Sequence, residues 1–156
     1  MNHKPAFLVP NFRHARMLPA TLAGLRQFQL PILIVDDGSG ASDRVVLEQL
    51  AREANTFVVY LEQNGGKGHA VKAGLRWLYQ QGYSHAFQID ADGQHDQSVV
   101  PSFLQMSAQH PDAIICGAPQ YDGSAPKSRL YGRMITNFWV TIETWSRQIK
   151  DAMCGF

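Results

Sequence analysis

The chain has 156 residues, 45% of them hydrophobic and 17% charged, and 14 Lys and Arg against 13 Asp and Glu leave a formal net charge of +1. That length suits one domain burying about 68–70% of its unfolded surface, and the near-neutral charge excludes a dedicated nucleic-acid binder with its basic excess. Two cysteines, Cys116 and Cys154, cannot build a four-thiolate zinc site and form no disulfide framework, which points to a reducing compartment. No apolar run reaches the roughly 18–20 residues of a membrane helix, and the N-terminus lacks a signal-peptide core, so the chain reads as cytoplasmic.

Short apolar runs alternate with longer amphipathic ones. Strands are expected at 6–9, 32–35, 56–61, 86–89 and 113–116, with helices between them at about 16–28, 42–54, 68–81 and 97–109. The run Ile32–Val35 is apolar on both faces, as a strand buried between two helical layers must be. Ser42 is placed as the cap of the second helix, whose apolar stripe is Val46, Leu47 and Leu50 and whose wet side carries Arg44, Glu48 and Arg52. Gly82 stops the third helix after Gln81. This alternation predicts an α/β fold with a mostly parallel sheet flanked by helices. A last helix is expected at 128–147, with Leu130, Met134, Ile135, Phe138, Trp139, Ile142 and Trp145 on one apolar face. It reads as a core-packing helix, with Arg129 and Arg133 near its start as a phosphate-binding pair, near a membrane surface in the sharper version of that reading.

In parallel sheets ligands bind outside the carboxyl ends of the strands, so the chemistry is sought in the residues just after each strand. The first such loop, Pro10-Asn11-Phe12-Arg13-His14, is a turn with an aromatic residue. The second, Asp36-Asp37-Gly38-Ser39-Gly40, sets two adjacent carboxylates at a buried strand end, where charges need partners; a cap for the following turn is the structural alternative. It is not a dinucleotide fingerprint, because Asp43 stands at the third glycine position and the acids would repel a pyrophosphate. In the third loop, Asn64-Gly65-Gly66-Lys67-Gly68 opens a helix and can bring N–H groups and an ammonium to an anion. It lacks the Ser or Thr of a P-loop. The fourth, Asp90-Ala91-Asp92-Gly93-Gln94-His95, places two carboxylates on one side of an extended segment, within reach of one divalent cation. His95 and Pro101 at the sixth and twelfth positions exclude an EF-hand, and an all-oxygen donor set suits Mg²⁺ or Mn²⁺ carrying a phosphate-bearing substrate. Together these loops suit a nucleoside diphosphate and a group-transfer reaction.

The segments 35–39, 64–68 and 90–95, with Ile149-Lys150-Asp151 through Cys154-Gly155-Phe156, occur in the order and at about the spacing of family 2 glycosyltransferases, and the chain most resembles their dolichyl- and polyprenyl-phosphate branch. The resemblance implies a GT-A type fold, a nucleoside-diphosphate sugar donor, a divalent metal (Mg²⁺ or Mn²⁺) and inversion at the anomeric carbon. It implies Pro10 and Phe12 at the nucleobase, Asp36 and Asp37 at base and ribose, and Asn64 and Lys67 in the adjoining loop. It further implies Asp90, Asp92 and Gln94 at metal and diphosphate, with Asp92 also counted as catalytic. Arg129 and Arg133 fall to donor or acceptor phosphate, and Asp151 is the candidate base. The implied acceptor is a polyprenyl phosphate or other lipid, with peripheral association at the cytoplasmic membrane face.

Two departures stand out: Arg13-His14 replaces an Asn-Glu pair, and Gly117-Ala118-Pro119 replaces a Gly-Ser-Arg. Relatives also continue past the point where this chain ends, so the expectation is one domain over 1–156, truncated on its acceptor side. The alternatives are a nucleotidyltransferase, disfavoured by Pro10-Asn11-Phe12 where a basic glycine-rich loop is usual, and a binding module without turnover.

Overall fold

The computed structural model describes residues 3–93, 95–117, 138–142 and 145, and the chain divides into two units, 1–113 and 114–156. In the first unit the apolar runs become strands and the amphipathic ones become helices. The order is β1 (Pro5–Asn11), α1 (Leu18–Leu25) running into a 3-10 turn (Arg26–Phe28), β2 (Ile32–Asp36), α2 (Ala41–Leu50), β3 (Thr56–Tyr60), α3 (Lys67–Gln80) and β4 (His85–Gln88). A second 3-10 turn (Gln97–Val99) then leads into α4 (Val100–Gln109).

The four strands lie in the order β3-β2-β1-β4, and every pairing is parallel. β2 is buried at all its residues and β1 at all but the first, so the most apolar runs hold the centre. One face of the sheet, with Ala6, Leu8, Leu33 and Val35, packs on Ala70 and Leu78 of α3. The other face carries Phe7, whose ring lies 6.0 Å from Phe28 and 5.7 Å from Phe87. Phe87 in turn stacks on Phe103 of α4 at 5.3 Å. α2 buries Leu47 and Leu50, and Arg44 lies 4.6 Å over the ring of Tyr60. The result is a sheet between helical layers, and all four strands end on the same edge.

Four expectations need correction. No strand forms at 113–116: residues 114–117 carry no regular element, Ile114 is 91% exposed, and no described strand pairs with the outer edge of β4. Apolar character without a ladder partner leaves backbone groups unpaired and does not make a strand. Ser42 does not cap α2; the cap is Gly40, extended at φ −76°, and Ser42 lies inside the first turn. The first two helices are shorter than expected: α1 starts at Leu18 and tightens into the 3-10 turn Arg26–Phe28, and α2 ends at Leu50; left-handed Gln29 and Asn55 then turn the chain toward the next strands. Of the expected helix at 128–147, residues 138–142 are helical, with Phe138, Trp139 and Ile142 exposed rather than in a core. Its other expected residues, apart from the exposed Trp145, lie outside the described ones. Among the described residues no helix is long and apolar enough to cross a membrane.

Close approach of α3 to the sheet depends on Gly74. A Cβ there would overlap Leu8 Cδ1 and lie 3.0 Å from Val35 Cγ2. Gly74→Val is expected to destabilise by about 1–3 kcal/mol through overpacking, read as a fall in urea midpoint at constant slope. Gly68→Ala, where a Cβ meets nothing within 4 Å, should stay within about 0.5 kcal/mol of the parent. Gly38 has φ +73°, and a Cβ would meet the backbone of Asn64 and Gln63 at 2.7 and 2.8 Å. Gly38→Ala is therefore expected to cost more than the roughly 1–2 kcal/mol of left-handed strain alone, checked by the same titration.

Candidate functional site

At the carboxyl edge the loops enclose a cavity of about 420 Å³. The end of β1 contributes Pro10, Asn11, Phe12 and His14; the end of β2, Asp37; the start of α3, Asn64, Gly66, Lys67 and Ala70; and the loop after β4, Asp90, Ala91 and Asp92. Seven of the residues expected from sequence therefore share one cavity: Pro10, Phe12, Asp37, Asn64, Lys67, Asp90 and Asp92.

The two adjacent carboxylates part company. Asp36 is 4% exposed and does not line this cavity. Its Oδ1 accepts from Asn11 Nδ2 at 2.8 Å, and its Oδ2 accepts from the Ser39 N–H at 3.1 Å. Ser39 Oγ accepts from the Arg13 N–H at 2.9 Å, which joins the first loop to the second. Arg13 itself lies over the Phe12 ring at 4.9 Å. Asp36 thus caps its own turn and braces the β1 loop.

Asp37, 1% exposed, accepts from the Gly66 N–H at 2.7 Å and the Gly65 N–H at 3.1 Å. His69 Nδ1 lies 3.4 Å away. The N–H groups that the glycine loop was expected to offer a ligand's anion are therefore taken by a carboxylate of the protein. A buried carboxylate needs such donors, and the start of α3 supplies them with a favourable dipole. Gly66 has φ +87°, a conformation glycine alone adopts without strain.

Lys67 also finds its anion within the protein: its Nζ lies 2.6 and 2.7 Å from the two oxygens of Asp90, and His95 Nε2 lies 3.5 Å from Asp90 Oδ2. Such a partly exposed pair adds only about 1 kcal/mol or less to stability, so its weight lies in the site. The loop that carries Asp90 and Asp92 is tied to α1, where the buried Thr21 hydroxyl lies 3.3 Å from the Ala91 carbonyl. The loop closes on Asp96, which accepts from the Ser98 N–H at 2.9 Å; these Ser98 hydrogen bonds hold the Asp96 carboxyl below its usual range.

Among the described residues no group of three or more His, Cys, Asp and Glu forms a protein cage for a metal. Asp90 and Asp92 line the same cavity and are oxygen donors of the type a hard divalent cation takes, with its other oxygens from phosphate and water; at Asp90 such a cation would take the place of the Lys67 ammonium. Gln94, Arg129, Arg133 and Asp151 lie outside the described residues. Sequence reasoning passed over Asn11, Ala91 and Ala70 as lining residues and treated His14 only as a departure. Their position at strand ends and in the first turns of helices was the available signal.

Three relatives put these loops in context. The chain is 31% identical over 102 residues to the undecaprenyl-phosphate mannosyltransferase of Micrococcus luteus, covering 63% of this chain and 42% of that protein. It is 30% identical over 141 residues to the dolichyl-phosphate beta-glucosyltransferase of Dictyostelium discoideum, covering 83% and 42%. It is 26% identical over 158 residues to the polyprenol monophosphomannose synthase of Mycolicibacterium smegmatis, covering 96% and 58%. The chain thus spans about half the length of these relatives. Among solved structures it resembles S. aureus TarS (residues 1–349) in complex with UDP, with TM-score 0.55, 19% identity, and coverage of 75% of this chain and 38% of that one. That likeness shows the GT-A fold. Residues 6–153 match the family described as Glycosyl transferase family 2, and the chain belongs to that family.

Proposed function

We propose that this glycosyltransferase domain takes a sugar from a nucleoside-diphosphate sugar, with a divalent cation, and passes it with inversion to a phosphate-bearing acceptor of the polyprenyl type. The observation that carries the reading is the joining of Asp90 and Asp92 with the Pro10–Phe12 loop and Asp37 in one cavity at the carboxyl edge. The names of the relatives support the acceptor class. Work at the cytoplasmic membrane face follows from an acceptor of that kind.

In this reading Phe12 and Pro10 give the nucleobase an apolar wall, and Asp37 and Asn64 border the ribose. Asp90, Asp92 and Gln94 would hold Mg²⁺ or Mn²⁺, which when bound neutralises charge on the departing diphosphate. Arg129 and Arg133 are assigned, on the family resemblance, to donor or acceptor phosphate. The acceptor oxygen attacks the anomeric carbon as that carbon's bond to the diphosphate breaks, and the proton of the acceptor's phosphate monoanion passes to Asp151. The products are the glycosylated acceptor and the nucleoside diphosphate.

Calorimetric titration of UDP and GDP with Mn²⁺ and with EDTA tests the donor site. One diphosphate should bind in a metal-dependent manner, and Asp90→Ala/Asp92→Ala should abolish that dependence; equal binding in EDTA would contradict the reading. In a transfer assay Asp151→Asn should lower turnover by about 10²–10⁴-fold, the usual worth of a general base, with donor affinity unchanged. Loss of donor affinity instead would move Asp151 out of the base role, and unchanged turnover would remove it from the mechanism.

A further inference from the structure

Resting on that reading, we infer that Gln97, seated in a notch of α1, is a positioning residue for the carboxylates of Asp90 and Asp92. Those acids sit on a loop of irregular backbone between β4 and the turn that opens α4. Such a loop does not hold two carboxylates in register by itself. A cation bound by few protein ligands, and Mg²⁺ above all with its demand for near-octahedral geometry, depends on the groups that orient those ligands.

The structure ties this loop to α1 at two points. Between the two acids, the Ala91 carbonyl lies 3.3 Å from Thr21 Oγ1, with Thr21 only 3% exposed and Ala91 4%. Just past the loop, Gln97 Nε2 donates to the Thr21 carbonyl at 3.1 Å. Gln97 reaches that carbonyl because position 24 is glycine: a Cβ there would overlap the Gln97 Oε1 and come within 2.9 Å of its Cδ. Gly24 has ordinary helical surroundings and is not needed for a left-handed turn. Its role is the space it leaves, which the Gln97 amide fills. The Thr21 hydroxyl lies 3.3 Å from both the Ala91 and the Met17 carbonyls, which share its one proton, and the Thr21 carbonyl accepts from Gln97. The acid loop is thus tied to α1 at its end by Gln97, with its middle resting against the Thr21 hydroxyl.

A clamp predicts coupling, and coupling is measurable. Gln97→Ala should speed amide exchange at Ala91 and Asp92 by about tenfold while leaving the amides of β1 and β2 unchanged. That measurement uses the protein alone; unchanged exchange at Ala91 and Asp92 overturns the inference whatever the protein binds. In calorimetry with Mn²⁺ and whichever of UDP and GDP the parent binds, Gln97→Ala should weaken affinity by less than the roughly 10–100-fold of losing a group bonded directly to a metal ligand, because Gln97 acts through Thr21. Affinity in EDTA should stay within about twofold. Gly24→Ala should reproduce the loss in the parent and add nothing in the Gln97→Ala background, because it acts only by evicting that side chain. Equal losses with and without Mn²⁺, or additive effects of the two changes, would mean general loosening and overturn the inference. A parent protein without metal-dependent binding would instead defeat the donor-site reading, and this inference with it.

Discussion

The carboxylate of Asp37 organises this site. It leaves the end of the buried strand β2 and takes the N–H groups of Gly65 and Gly66 at the start of α3. A nearly fully buried carboxylate is tolerable only with such donors, and the donors are held in place only while the carboxylate is there. The pair therefore fixes how the loop after β3 enters the crevice. Gly38, whose missing Cβ admits the backbone of Gln63 and Asn64, is the steric half of the same joint.

From that joint the rest of the cavity is laid out by mutual bracing. Asn11, Asp36 and Ser39 lock the loops after β1 and β2 together. On the far side of β1, Thr21 and Gln97 lock the loop after β4 to α1. Lys67 then bridges the two sides through Asp90. Asn11, Thr21, Asp36 and Asp37 are buried and hydrogen-bonded, and such fixed polar contacts are what a preorganised site requires. The cavity is lined among others by Phe12, His14, Asn64 and the acids of the fourth loop, Asp90 with its Lys67 partner.

Much of this was legible in the sequence, and the reasons are physical. Strands β1 to β4 follow from short apolar runs, and β2, apolar on both faces, is buried on both. Asp90 and Asp92 were readable as a pair because alternate residues of an extended segment share a side. The division of labour between Asp36 and Asp37 was not readable. Adjacent residues at a strand end point in opposite directions, and only the packed neighbours decide that one faces Asn11 and the other the glycine loop. The run at 113–116 misled because apolar composition says nothing about a ladder partner. The Thr21–Gln97 clamp spans 76 positions and joins residue types common in any turn or helix, so nothing local announces it.

Amide hydrogen exchange at Gly65 and Gly66, in the parent and in Asp37→Asn, tests the central joint most directly. If the Asp37 carboxylate holds the loop, both amides are protected in the parent and exchange about tenfold faster or more in the variant, a loss of about 1.4 kcal/mol in opening free energy, while amides of β1 and β2 keep their rates. Unchanged exchange at Gly65 and Gly66 would contradict the account, because the loop would then be held by something other than Asp37.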